Sequence, residues 1–149
     1  MRKTSEILEI MRIFAKENPN PQCELHFHNP YTLLVAVMLS AQSTDKGVNK
    51  ATEALFKIAD TPQKMLDLGI DKLKDYIKTI GLYNNKAKNI MEMSRQLAAD
   101  FGGEVPADRN VLTTFAGVGR KTANVVMNVW YHKPTLAIDT HVMRISHRL

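Results

Sequence analysis

The chain has 149 residues, a formal net charge of +5, 44% hydrophobic residues and one cysteine. That length supports one good core, burying roughly 70% of the unfolded surface. No apolar run approaches the ~20 residues that span a bilayer, the lone Cys23 excludes an internal disulfide or a cysteine-rich metal site, and the basic balance suits nucleic acid without demanding it.

Thr4 or Ser5 can cap a first helix, with Glu6 in its first turn. Ile7, Ile10, Met11 and Phe14, with Leu8, form an apolar stripe at helical spacing. Met1 to Lys3 is basic, but Glu6 and Glu9 interrupt any apolar leader, so no secretory signal is expected. A free cysteine then fits a reducing cytoplasm. Asn18-Pro19-Asn20-Pro21 ends the helix. Cys23 to His28 reads as irregular. His26 and His28 flank Phe27 with no third ligand near, which favours a solvated loop over a metal site.

Asn29 and Pro30 form a cap with Pro at the first helical position. The helix from Tyr31 to Ser40 is apolar on most sides and should be central. Its polar end, Ala41 to Asp45, leads into a helix over about Lys46–Ile58 with Val48, Ala51, Leu55 and Ile58 inward. Thr61-Pro62 opens a short helix that Gly69 stops. Asp71 is expected to cap the next, with Leu73, Ile77 and Ile80 inward and Gly81 beyond its end. Asn84 or Asn85 begins a long helix to Phe101, with Ala87, Ile90, Ser94, Leu97 and Phe101 on one side. Gly102-Gly103 ends it. Pro106 and Asp108 start a short helix, and Thr113 to Gly117 reads as its end. Ala137 to Asp139 leads into a last helix. No stretch shows the alternation of a strand, so the fold class is all-α, with about nine helices.

Gly117 and Gly119 sit one residue apart in an apolar hairpin, and a helix-forming run from Lys121 to Trp130 follows. Glycine lets backbone approach a ligand closely. The free amides and dipole of the following helix favour an anion such as phosphate. A lone pair of glycines is more often a plain turn. Here Arg120-Lys121-Thr122-Ala123 follows, and Asp139 lies eighteen positions after Lys121. With Leu39-Ser-Ala-Gln-Ser-Thr-Asp45, Ile80-Gly-Leu-Tyr-Asn-Asn-Lys86 and Pro134-Thr-Leu-Ala-Ile-Asp-Thr-His141, these residues resemble the helix-hairpin-helix DNA glycosylases, above all the endonuclease III family of bacterial glycosylases and AP lyases for oxidised pyrimidines. The resemblance runs from about Ile10 to Leu149.

The resemblance implies a helical barrel carrying the hairpin, and a second lobe built from the N-terminal helix, C-terminal helices and an iron–sulfur loop. The domains expected are 1–18, an N-terminal helix of that second lobe; 22–134, the barrel, with the helix-hairpin-helix at 108–130; and 135–149, the catalytic Asp loop and the start of a helix. In the family a further stretch follows, with four cysteines holding a [4Fe–4S] cluster. None of those ligands is present here and Cys23 is not one of them, so no cofactor is expected in this chain and the second lobe should be incomplete. Ile7, Met11 and Phe14 would then be exposed. The implied partner is double-stranded DNA with damaged pyrimidines or abasic sites, and the implied place is a bacterial cytoplasm, at the nucleoid. A monomer is expected, with self-association through the exposed helix.

Removing a base and nicking the strand needs a nucleophile for C1′ of the deoxyribose. A primary amine serves both steps, because the iminium it forms eases β-elimination. An amine is protonated and inert at its ordinary pKa of about 10.4. At the start of a helix, beside Arg120 and under bound DNA, dipole, neighbouring cation and burial all disfavour the charged form of Lys121. Alternatively the lysine only touches a phosphate. Asp139, capping the last helix, would stay ionised and stabilise an oxocarbenium-like sugar or take a proton; a plain cap is its simpler role. The relatives that remove adenine lack the lysine, so Lys121 argues for a lyase. Thr113 and Ala116 stand where close relatives often have Glu and Pro, which bears on any carboxylate relay from position 113. By resemblance, Gln42 and Leu82 fill the gap left by a flipped base. Leu82 could instead close the Gly81 helix end. Gly117, Val118, Gly119, Arg120 and Thr122 would meet the DNA backbone. Asp45 and His141 are weaker pocket candidates, Asp45 being read rather as a cap of the next helix. The carbonyls of Thr113, Phe115 and Val118 could hold a monovalent cation. A DNA-binding module without turnover is the rival reading.

Overall fold

Helix α2, Pro30–Ser40, is the axis of the larger part of the molecule. Asn29 Oδ1 accepts the Thr32 amide at 2.7 Å, Thr32 Oγ1 accepts the Asn29 amide at 3.1 Å, and Pro30 follows the cap. Two otherwise orphaned amides are thereby satisfied and the chain enters the helix in a fixed direction. Every residue from Tyr31 to Leu39 is buried, because α2 packs against α3, α6 and α8. Full burial of each Leu or Val there contributes roughly 1.5–3 kcal/mol.

The structure, a computed structural model, describes residues 2–149. Met1, in the basic start of the chain, lies outside the described residues. The described residues form nine helices and no strand: α1 Thr4–Glu17, α2, α3 Asp45–Ile58, α4 Pro62–Leu68, α5 Ile70–Ile77, α6 Tyr83–Asp100, α7 Arg109–Leu112, α8 Arg120–Val129 and α9 Thr140–Arg148. None of them is long and apolar enough to cross a membrane. Contacts divide the chain into two units, Glu24–Ala137 and the pair Met1–Cys23 with Ile138–Leu149.

In the larger unit α6 packs against α2, α4 and α5 and lays Ala87, Ile90, Met93, Ser94 and Leu97 into the core. Tyr31 Oη and Ser94 Oγ meet at 2.6 Å between α2 and α6, and Ser94 Oγ also donates to Ile90 O at 2.7 Å. Burial pushes the Tyr31 phenol far above its ordinary range. Phe101 meets Phe115 edge-on at 5.5 Å.

Several helix starts differ from the sequence reading. Thr4 is already helical and Lys3 is the cap; Glu6 Oε2 accepts the Lys3 amide at 3.0 Å. Thr44, not Asp45, caps α3, its Oγ1 accepting the Gly47 amide at 3.1 Å. Asp71 lies inside the first turn of α5 behind a Gly69 cap whose φ is 85°. Helix α6 begins at Tyr83, before either asparagine, from a left-handed Leu82. Ile58 faces outward, because the buried face of α3 advances from Leu55 to Ala59.

The smaller unit buries no side chain of α1 or α9. Leu8, Met11, Ile13 and Phe14 are at least half exposed, and Ile7 and Ile10 partly so. The Arg2 amide donates to Leu149 O at 2.6 Å within this unit.

Candidate nucleic-acid interface

The site is built from the hairpin between α7 and α8. Asp108 Oδ1 caps α7, accepting the amides of Asn110 at 2.8 Å and Val111 at 3.2 Å. The helix stops at Leu112, so Thr113 to Gly117 is not helix but a run of turns, in which Thr114 N donates to Val111 O, Phe115 N to Leu112 O and Val118 N to Phe115 O. The hydroxyls of Thr113 and Thr114 bond the carbonyls of Asn110 and Val111, offering the backbone an alternative to a continued helix. Leu112, Phe115 and Val118 are buried and pin the turns to the core.

The fold demands only one of the two glycines. Gly117 has φ 74°, and a Cβ on it would lie 2.8 Å from Asn89 Cβ. The hairpin therefore seats directly on α6, and only glycine fits. Gly119 has an ordinary φ of −87°, and no atom lies within 4 Å of where its Cβ would be. Nothing inside the fold demands glycine there.

Gly119 is the cap of α8 and supplies no side-chain acceptor. The first amides of α8 lie at the positive end of its dipole with no capping side chain from Gly119 over them. A cleft of roughly 440 Å³ opens at this point, lined by Arg109, Asn110, Thr113, Val118, Gly119 and Arg120. Two guanidinium groups and uncapped amides around one cleft suit an anion of phosphate size. Lys121, the second residue of α8, is exposed; Thr122 is half-buried. Of the carbonyls considered for a cation, that of Phe115 already accepts the Val118 amide at 3.1 Å.

Asp139 belongs to the smaller unit. It is half-buried and caps α9, its Oδ1 accepting the Val142 amide at 2.8 Å. His141 is exposed in the first turn of α9. Asp45, half-buried, is the first residue of α3.

Gln42 and Leu82 are both exposed and both left-handed, with φ 57° and 60°. Apart from His132, no other described non-glycine residue has a positive φ. Three residues that sequence reasoning passed over tie loops to helices. Lys86 is buried and its Nζ reaches Leu39 O, Ala41 O and Ser43 Oγ. Asn124 Nδ2 donates to Leu136 O at 3.1 Å and Asn128 Nδ2 to the carbonyls of Lys133 and Thr135, strapping that segment to α8. Their only sequence signal was a polar residue one helical turn from a buried face.

His28 Nε2 lies 3.1 Å from Asp60 Oδ2, and Lys64 Nζ lies 2.9 Å from Asp60 Oδ1. Lys64 first, and then His28, hold the Asp60 carboxyl below its ordinary value. Among the described residues no three His, Cys, Asp or Glu side chains could together hold a metal ion.

The family model of HhH-GPD superfamily base excision DNA repair proteins matches residues 35–149. Endonuclease III of Haemophilus influenzae is 56% identical over 148 residues, covering 99% of this chain and 70% of that protein. A trapped endonuclease III–DNA covalent intermediate, in its estranged-adenine complex, matches with a TM-score of 0.95 at 46% identity, over 100% of this chain and 70% of that one. A non-covalent endonuclease III–DNA complex matches with a TM-score of 0.93 at 44% identity, over 98% and 68%.

Proposed function

This chain belongs to the HhH-GPD superfamily of base excision DNA repair proteins, and from that premise we propose that it is a DNA glycosylase and AP lyase of the endonuclease III type, acting on oxidised pyrimidines and abasic sites in duplex DNA. The observation that carries the reading is the exit of the hairpin. There an uncapped helix start and an arginine-lined cleft stand immediately before Lys121. A phosphate held on those amides places the sugar of a flipped nucleotide within reach of a lysine on the first turn.

The neutral amine of Lys121 attacks C1′. The glycosidic bond breaks, the base leaves with the bonding electron pair and takes up a proton, and the opened sugar becomes a Schiff base. Its iminium withdraws electrons, so loss of a C2′ proton expels the 3′ phosphate; water then frees the lysine. Asp139, whose Oδ1 caps α9, stabilises positive charge at the sugar or receives the lysine proton. Gln42 and Leu82 occupy the gap in the duplex, while Gly117, Val118, Gly119, Arg120 and Thr122 meet the DNA backbone. Asp45 and His141 border the pocket, and a monovalent cation on the carbonyls of Thr113, Phe115 and Val118 would bridge the hairpin to a phosphate. Helix α1 belongs to a second lobe, and 135–149 carries the catalytic Asp loop and the start of a helix. A [4Fe–4S] cluster takes four thiolates. One cysteine is present, so the residues do not fit that group and no step runs through it.

Borohydride trapping on duplex DNA with one abasic site tests the proposal. A covalent adduct in the wild-type chain that Lys121→Ala loses, with most DNA affinity retained, is expected. Binding without an adduct in the wild type would make the chain a DNA-binding module. An adduct that survives in Lys121→Ala would assign the chemistry to another amine.

A further inference from the structure

Gln42 and Leu82 lie far apart in sequence, yet one residue meets the loops of both, by its side chain at the first and by its backbone at the second. The last carbonyls of a helix have no partner within it, and α2 ends at Ser40, two residues before Gln42. Lys86 Nζ donates to Leu39 O at 2.9 Å, to Ala41 O at 2.6 Å and to Ser43 Oγ at 3.2 Å. An ammonium has three hydrogens, so these acceptors use all of them. Two acceptors belong to the residues on either side of Gln42. The backbone of Lys86 closes the first turn of α6 on Leu82, its amide donating to Leu82 O at 3.0 Å.

Both served residues are strained. A non-glycine side chain at φ near +60° persists only where its surroundings over-determine it. Neither Gln42 nor Leu82 buries its side chain, so side-chain packing does not hold that conformation. The lysine is itself costly: burial disfavours its charged form and lowers its pKa. A buried cap for α2 needs only the carbonyl contacts at Leu39 and Ala41; it does not need the bond to Ser43, beyond Gln42.

We propose that Lys86 is the positioning residue of the duplex-opening apparatus: its ammonium fixes the loop that presents Gln42, and its helix turn fixes the loop that presents Leu82, so the two enter the base stack as one rigid pair. The proposal rests on the reading of Gln42 and Leu82 as gap-filling residues. Lys86 touches no DNA and acts through both.

Lys86→Met keeps the length and apolar stem and removes the ammonium. The readout is the ratio of affinity for a duplex carrying a tetrahydrofuran abasic analogue to affinity for the same duplex undamaged, together with the fluorescence of 2-aminopurine opposite the analogue. The ratio should fall about tenfold, the scale of losing hydrogen bonds to a charged group, and the fluorescence rise on binding should shrink, while affinity for undamaged duplex stays within about twofold. The losses from Lys86→Met and Gln42→Ala should be less than additive, because one acts through the other. If Lys86→Met does not fold, Ser43→Ala removes the acceptor beyond Gln42 and should lower the same ratio without unfolding the chain. A folded Lys86→Met with the wild-type ratio, or strictly additive losses, would overturn the proposal; should only Ser43→Ala fold, a wild-type ratio in it would do so. If Gln42→Ala and Leu82→Ala themselves leave the ratio unchanged, it is the gap-filling reading that fails.

Discussion

The two hairpin glycines predict opposite outcomes for the same substitution. Gly117→Ala places a methyl group 2.8 Å from Asn89 Cβ and 2.9 Å from Asn89 Nδ2, at φ 74°. The left-handed conformation costs alanine about 1–2 kcal/mol. Overpacking against α6 adds about 1–3 kcal/mol, and the stiffer unfolded chain returns about 0.4–1 kcal/mol. The net loss is roughly 2–4 kcal/mol, part of it released by lifting the hairpin from Asn89. Gly119→Ala meets no atom within 4 Å at φ −87°. A weaker helix cap and a stiffer unfolded chain nearly cancel, so stability should stay within about 1 kcal/mol. Its methyl, however, stands on the cleft wall where a phosphate would meet the backbone.

Urea denaturation of the two variants, paired with fluorescence anisotropy on abasic-site DNA well below both transitions, separates the effects. Gly119→Ala should unfold like the wild type and bind DNA about tenfold more weakly, as when one charge-assisted hydrogen bond is lost. Gly117→Ala should unfold at clearly lower urea. Wild-type DNA affinity in Gly119→Ala would refute close backbone approach at the hairpin exit. Equal stability of Gly117→Ala and the wild type would refute the seating of the hairpin on Asn89.

Asp139→Asn should lower the trapping rate strongly while costing under about 1 kcal/mol of stability, since Asn also caps well; a thermal melt and a trapping time course together decide it. The depressed carboxyl of Asp60 contributes stability in full above its ordinary value of 3.8 and loses it as pH falls through the lower, folded value. Asp60→Asn should therefore be less stable than the wild type near neutrality, with the gap closing below about pH 4, as urea midpoints across pH would show. Phe14 is 58% exposed; Phe14→Ser should cost well under the ~3–5 kcal/mol of a buried Phe, and strong amide protection of α1 in a demonstrated monomer would contradict that.

Much of the fold was legible where the chemistry is local. Asn29 with Pro30, Thr61 with Pro62, and Asp108 and Asp139 each cap a helix within three residues of themselves. Their partners are fixed by chain connectivity, so residue type at that spacing suffices. The misreadings share one cause. Thr44 and Asp45 are adjacent and both able to cap, and it is Thr44 Oγ1 that accepts the Gly47 amide. Leu82 has no capping side chain, so the polar Asn84 and Asn85 looked the better start for α6. A cap made by a strained backbone leaves no mark in residue type.

The site divides along the same line. Gly117, Gly119 and Lys121 were readable because they lie within five positions, and a hairpin leading into a helix start is a local object. What the letters did not contain is that Gly117 answers to Asn89, twenty-eight positions earlier, whereas Gly119 answers to nothing in the fold. Nor did they show that Lys86 reaches Leu39, forty-seven positions away. A glycine that the fold requires and a glycine that it does not are the same letter. Only the space around each separates them, and that space is made by residues from elsewhere in the chain. The same holds for a lysine. Lys121 is exposed on a helix start beside an arginine-lined cleft, whereas Lys86 is buried with its three hydrogens on Leu39 O, Ala41 O and Ser43 Oγ. Position in the sequence ranks the two alike; only burial tells them apart.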